Sequence, residues 1–151
     1  MKSAKYRFAL VAAMSLGGAT IVANAQDAQP TSEQVRIAVQ GVCPVTGNQL
    51  GSHGQPVKVK VGEEAIYLCC AGCASGKIKP EHWATIHANF AKAQGICPVM
   101  GNALPQGAKW TIVQGRIIYV CCPPCLKKIA DDPATYVGKV DALYRKSLHK
   151  K

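Results

Sequence analysis

The sequence predicts an α+β fold built from two small tandem modules. Two observations carry this reading. Residues 40–50, Gln-Gly-Val-Cys-Pro-Val-Thr-Gly-Asn-Gln-Leu, recur at 94–104 as Gln-Gly-Ile-Cys-Pro-Val-Met-Gly-Asn-Ala-Leu, and Ile66-Tyr67-Leu68-Cys69-Cys70-Ala71-Gly72-Cys73 recurs as Ile118-Tyr119-Val120-Cys121-Cys122-Pro123-Pro124-Cys125. Within each copy, hydrophobic alternation around a glycine turn marks a β-hairpin, and apolar residues three or four apart mark helices.

The chain has 151 residues, room for one ordinary domain or two small ones. Its start is set apart. Lys2, Lys5 and Arg7 precede an uncharged apolar stretch at 8–23, and Ala23-Asn24-Ala25 supplies a small-x-small cleavage pattern. Residues 1–25 therefore read as a secretory signal peptide. The apolar stretch is shorter than the roughly 20 residues a transmembrane helix needs. The expected location is periplasmic or secreted, with no membrane attachment after cleavage. Residues 26–39 read as a linker. Their first part is polar and contains Pro30, while 35–39 suit either a short strand or a helical turn.

The modules are expected at 40–93 and 94–148. Each opens with Cys-Pro-Val-x-Gly-Asn, a turn in which proline fixes φ and Gly-Asn tolerates a left-handed conformation. A hairpin follows. Val57, Val59 and Val61 alternate with lysines, Gly62-Glu63 turns, and residues 65–68 return; in the second copy 109–113 run out, Gln114-Gly115 turns, and 116–120 return. Each cysteine triplet is then expected to open a short helix, at 70–79 and 123–131, stopped before Pro80 and Pro133. Pro123-Pro124 suits a first helical turn, where a missing N–H costs little. A further helix follows in each: 81–93, with Trp83, Ile86 and Phe90 on one face, and 134–148, with Tyr136, Val137, Val140, Leu143 and Tyr144. A unit of about 55 residues is too small to secure a core alone, so cross-links or metals are expected.

The two constellations hold all eight cysteines: Cys43, Cys69, Cys70 and Cys73, then Cys97, Cys121, Cys122 and Cys125. Cys69 and Cys73, like Cys121 and Cys125, are four apart, which at a helix start places both sulfurs on one face. The Cys-Pro-Val turn brings a third sulfur, and Cys70 or Cys122 is available as a fourth. Soft thiolates in this number suit zinc or copper(I), one ion per module. Two other readings remain open. Export exposes thiols to oxidation, and eight cysteines allow 105 disulfide pairings. Cys70-Ala71-Gly72-Cys73 and Cys122-Pro123-Pro124-Cys125 also have the Cys-x-x-Cys spacing of thiol–disulfide exchangers, although no βαβ pattern surrounds them.

These cysteines, each set following a Tyr-containing strand, resemble the TRASH/YHS group of small heavy-metal-binding modules. Asp132-Pro133-Ala134-Thr135-Tyr136 is similar to the proline-x-x-tyrosine ending of YHS modules; Lys79-Pro80-Glu81-His82-Trp83 matches it more loosely. The resemblance spans roughly residues 40–140. It implies a treble-clef-like fold, a role in metal sensing, trafficking or resistance, and ligand roles for Cys43, Cys69, Cys73, Cys97, Cys121 and Cys125. Cys70 and Cys122 lie outside that transferred set.

The remaining chemistry is sparse. Removing residues 1–25 takes three basic residues and lowers the net charge from +10 to +7. The positives are scattered except near the tail, so no nucleic-acid partner is expected. The expected partners are a metal ion and a protein that donates or accepts it. Met100 is read as turn packing, because the first copy has Thr46 there. His53, His82 and His87 occur only in the first module and are read as surface residues, with His82, near a helix start, the best exception. Trp83 and Trp110 are read as core. There is no Cys-x-x-Cys-His for covalent haem. No catalytic triad, phosphate loop or carboxylate pair can be assembled, and the chain is not expected to be an enzyme.

Overall fold

The computed structural model describes residues 29–150, so the signal peptide expected at 1–25 lies outside the described residues. The elements run α1 (Ser32–Gln40), β1 (Val57–Val61), β2 (Glu64–Leu68), a 3-10 turn (Ala71–Ser75), α2 (Pro80–Gln94), β3 (Lys109–Val113), β4 (Arg116–Val120), α3 (Pro124–Asp131) and α4 (Pro133–Leu148). The class is α+β. No described helix is long and apolar enough to cross a membrane.

Both hairpins form in the expected places. β1 pairs antiparallel with β2, from Val57 opposite Leu68 to Val61 opposite Glu64. β3 pairs with β4, from Lys109 opposite Val120 to Val113 opposite Arg116. Ile66, Tyr67 and Leu68 are buried in succession, as are Ile117 to Val120. The returning strand of each hairpin is therefore covered on both faces, which explains its uninterrupted apolar sequence.

Two helical expectations need revision. From Ser32 onward the linker expected at 26–39 is a helix. Thr31 and Gln34 form a reciprocal capping box, Gln34 N–H donating to Thr31 Oγ1 and Thr31 N–H to Gln34 Oε1. Val35 and Val39 then bury one face of α1. The helix expected at 70–79 shrinks to the 3-10 turn, because Gly72 and Gly76 make a helix costly there. Its counterpart α3 does form, with Pro124 at its start and Lys127 paired to Asp131 one turn on.

The structural likeness also extends upstream of the cysteine turns: α1 precedes the first and ends at Gln40, and α2 precedes the second and ends at Gln94. The main core gathers α1, α2, α4, β4 and α3 through Val35, Ile86, Phe90, Ile118, Ile129, Val140 and Tyr144, with the Phe90 and Tyr144 rings 5.7 Å apart. A smaller cluster surrounds Cys43, Leu50, Tyr67, Leu68, Cys69 and Cys73. The modules thus share helices and one large core, which resolves the shortage of apolar area expected of either alone.

Polar ties hold this junction. Arg36, 4 % exposed, donates through Nη2 to Ala65 O and to Gly115 O, and lies 5.5 Å from the Tyr67 ring centre. Ala65 N–H donates to Gly115 O at 2.9 Å. Arg116 donates twice to Asp141, at 3.1 and 3.2 Å, and also to Ser32 Oγ, joining β4, α4 and α1. Such a two-pronged pair fixes orientation as well as charge.

The feature with most consequence for the cysteines is a pair of buried glutamines. Gln40 is fully buried at the end of α1; its Nε2 donates to Val42 O and Tyr67 O, and its Oε1 accepts from Tyr67 N–H. Gln94 repeats all three bonds at the end of α2, with Ile96 O, Tyr119 O and Tyr119 N–H. Each side chain spans from the residue before a Cys-Pro turn to the strand residue two before the next cysteine. Replacing Gln94 by leucine strands two carbonyls and an N–H, each costing about 1–3 kcal/mol when buried and unpaired. We expect Gln94→Leu to lower the urea midpoint by the equivalent of at least about 3 kcal/mol, whereas a change at exposed Ala103 should leave it nearly unmoved.

Candidate metal centre

Each site is assembled from three pieces of chain. The first sulfur sits on a tight turn. Cys43 N–H donates to Asn48 O at 2.8 Å, Gly47 N–H returns to Cys43 O at 2.9 Å, and a β-bridge pairs Val42 with Gln49. The second turn reproduces this with Cys97 and Asn102, Gly101 and Cys97, and a bridge from Ile96 to Ala103. Gly47 and Gly101 have φ of 77° and 74°, which is why glycine occupies both positions. The second sulfur, Cys69 or Cys121, stands immediately beyond β2 or β4. The third, Cys73 or Cys125, comes from the 3-10 turn or from α3.

Cys43, Cys69 and Cys73 bring their sulfurs within 4.8 Å of one another, and so do Cys97, Cys121 and Cys125. All six were expected ligands. Cys69 and Cys73 sulfurs are 3.6 Å apart and Cys97 and Cys125 sulfurs 3.7 Å. Four thiolates at about 2.3 Å from a tetrahedral ion are separated by ~3.8 Å. The donor sets therefore fit a thiophilic ion in spacing as well as in chemistry. The two middle cysteines stand outside the trios. Cys70 Sγ is 3.8 Å from Cys73 Sγ, and Cys122 Sγ is 3.8 Å from Cys121 and 3.1 Å from Cys125. All eight cysteines are free thiols.

The turns also tune their sulfurs. Burial pushes the Cys43 thiol up, but N–H groups of Cys69, Thr46 and Val45 directed at its sulfur outweigh this and bring its pKa down to about 6. Cys97 is lowered by the same balance, burial against N–H groups of Cys121, Met100 and Val99. Cys73 is pushed up to about 12, first by its contact with Cys69 and then by burial. Burial, followed by Cys122, raises Cys125. Burial also raises Cys121, while hydrogen bonds from Cys73 and Cys125 lower Cys70 and Cys122. Each trio thus favours a thiolate on its turn, while a proton is held on Cys73 in the first and on Cys121 and Cys125 in the second. A bound cation would displace those protons.

Other expected residues fall differently. His53 is exposed and contacts Asn48, as expected of a surface residue. His82 and His87 are half-buried. The His82 ring covers the first cysteine turn, and His87 Nε2 lies 3.3 Å from the buried Glu64 carboxylate, with its ring between those of Trp83 and Trp110. Trp110, expected in the core, is 49 % exposed, on a strand whose side chains are exposed or half-buried while those of β4 are mostly buried; Trp83 is half-buried. Met100, expected to pack against its turn, stands largely in solvent. Sequence reasoning missed Gln40 and Gln94, although their shared place in the repeat was the available signal. It also missed the amide donors to Cys43 and Cys97, which depend on backbone direction and leave no residue-type trace.

No family model, curated protein or solved structure matches this chain.

The first site has a signed pH dependence when metal-free. Between about pH 6 and 9 folded Cys43 has lost a proton that an unfolded cysteine, at 9.0, still carries, so stability rises with pH. Between 9 and about 12 folded Cys73 keeps a proton that the unfolded chain has lost, so stability falls. Thermal unfolding in chelator and reductant should therefore show a maximum near pH 9.

Proposed function

We propose that this chain is an exported metal-binding protein that holds one zinc or copper(I) ion in each three-cysteine site and buffers or delivers it. The observation that carries the reading is the double convergence: three sulfurs from separate pieces of chain meet within 4.8 Å, twice. Cys43, Cys69 and Cys73 would hold one ion, and Cys97, Cys121 and Cys125 the other. Three protein ligands leave a fourth position for Cys70 or Cys122, or for a donor from outside. Export rests on the pattern at residues 1–25. The partner expected is a protein that gives or takes the ion through its own soft ligands. Relation to the TRASH/YHS modules and a treble-clef-like arrangement belong to the same proposal, as does the absence of enzymatic turnover.

One distance favours a second reading. Cys122 and Cys125 sulfurs, 3.1 Å apart in a Cys-x-x-Cys pair, are well placed for reversible disulfide formation and hence for thiol–disulfide exchange.

Protein purified anaerobically in reductant should contain two equivalents of zinc or copper by elemental analysis, and Cys43→Ser should contain one. Eight reactive thiols indifferent to both metals would overturn the proposal. Catalytic disulfide reduction that resists chelators and is lost in Cys122→Ala would establish the second reading.

A further inference from the structure

The two sites share a sequence pattern but differ in enclosure. We propose that the first site retains its ion while the second is the exchange site, surrendering its ion to an external thiolate; this rests on the metal-binding reading above.

Three independent contacts close the first site and lack a counterpart at the second. The first is over the turn. A side-chain carbon at Gly47 would meet the His82 ring at 2.6 Å, so α2 presses directly on the turn that carries Cys43. At Gly101, the equivalent position, nothing lies within 4 Å. The second is along the segment after the triplet. Gly76 lies so close to Val45 that an added carbon would meet Val45 Cγ1 at 2.5 Å, and Lys79 N–H donates to Pro44 O at 3.0 Å. In the second module α3 occupies the corresponding stretch. The third is on the sulfur itself. Thr46 Oγ1 contacts Cys69 Sγ at 3.6 Å. Met100 takes the place of Thr46 and points largely into solvent, 54 % exposed.

The consequence falls on one pair of equivalent sulfurs. Cys69 is buried at 2 % exposure, whereas Cys121 is half-buried. The neighbouring Cys122 is also half-buried and contacts both Cys121 and Cys125. Cys70, the counterpart of Cys122, is half-buried as well, so the difference lies in Cys121: the second site presents Cys121 and Cys122 together with an uncovered turn, whereas the first presents Cys70 beside a buried Cys69. Exchange there is a ligand substitution. An incoming thiolate forms a bond to the ion as the Cys121 sulfur releases it, Cys121 takes a proton from solvent, and no electron is transferred. At the first site His82 and Gly76 pack on the turn and Thr46 contacts the Cys69 sulfur, so that sulfur is buried and held in place. Removing supporting contacts of this kind typically changes metal affinity about 10–100-fold.

Zinc-loaded wild-type protein mixed with excess chromophoric chelator should release its metal in two phases of one equivalent each, the faster at least about tenfold quicker. Stopping after the fast phase with N-ethylmaleimide and mapping peptides by mass spectrometry should find label on Cys97, Cys121, Cys122 and Cys125 while Cys43, Cys69 and Cys73 remain protected. This readout needs no substitution. His82→Ala should accelerate the slow phase several-fold and leave the fast phase as it is. A single phase of two equivalents, or label appearing first on Cys43, Cys69 and Cys73, would overturn the division of roles while leaving metal binding intact. A protein that releases no zinc, with all eight cysteines labelled at once, would overturn the metal reading itself.

Discussion

Everything about the cysteine sites depends on the two buried glutamines. A Cys-Pro turn and the end of a β-strand have no intrinsic reason to hold a fixed separation. Gln40 supplies one by bonding to Val42 on one side and to both backbone groups of Tyr67 on the other. Gln94 does the same for Ile96 and Tyr119. Those spans hold each turn beside the end of its strand, where the sulfurs of Cys43 and Cys69, and of Cys97 and Cys121, lie within 4.8 Å. A buried amide is costly unless all its bonds are made, so these side chains tolerate few alternative arrangements.

The same glutamines tie the helices to the cysteine sites. Each closes a helix, and each helix serves two structures. α2 buries Ile86 and Phe90 in the main core, supplies Gln94 to the second site, and lays His82 over the turn of the first. α4 completes the core and takes no direct part in either site, but through Asp141 it anchors Arg116 at the start of β4. A small unit that must hold a charged or metal-loaded cluster needs rigid support around it. Here that support comes from sharing helices rather than from enlarging each unit. The duplication accordingly yields two related sites in unequal surroundings, since only one of them lies beneath α2.

Much of the local architecture was legible in the residues. Alternating valines and the Gly62 and Gly115 turns announced both hairpins, and Pro80 and Pro133 marked the starts of the long helices. The repeat of Cys-Pro-Val and Cys-Cys-x-x-Cys located all six converging sulfurs. The failures have physical causes. The capping box of Thr31 and Gln34 was hidden in a polar stretch that reads equally well as linker. The glycines of 70–79 weakened a helix that the parallel with 123–131 encouraged. Trp110 was assigned to the core on hydrophobicity, but it stands on β3, none of whose residues is fully buried, whereas its partner β4 carries the buried run.

The sequence by itself determined the α+β class, the duplication, the hairpins and the two sets of four cysteines, because these follow from short-range periodicity, turn chemistry and cysteine spacing. Tertiary structure alone decided which sulfurs meet, that Cys70 and Cys122 stand beside the trios, that two glutamines fix the separation of the pieces, and that only the first turn is covered. Those outcomes depend on distances between elements remote in the chain. Such distances are set by packing and by buried hydrogen bonds, neither of which is encoded in any single stretch.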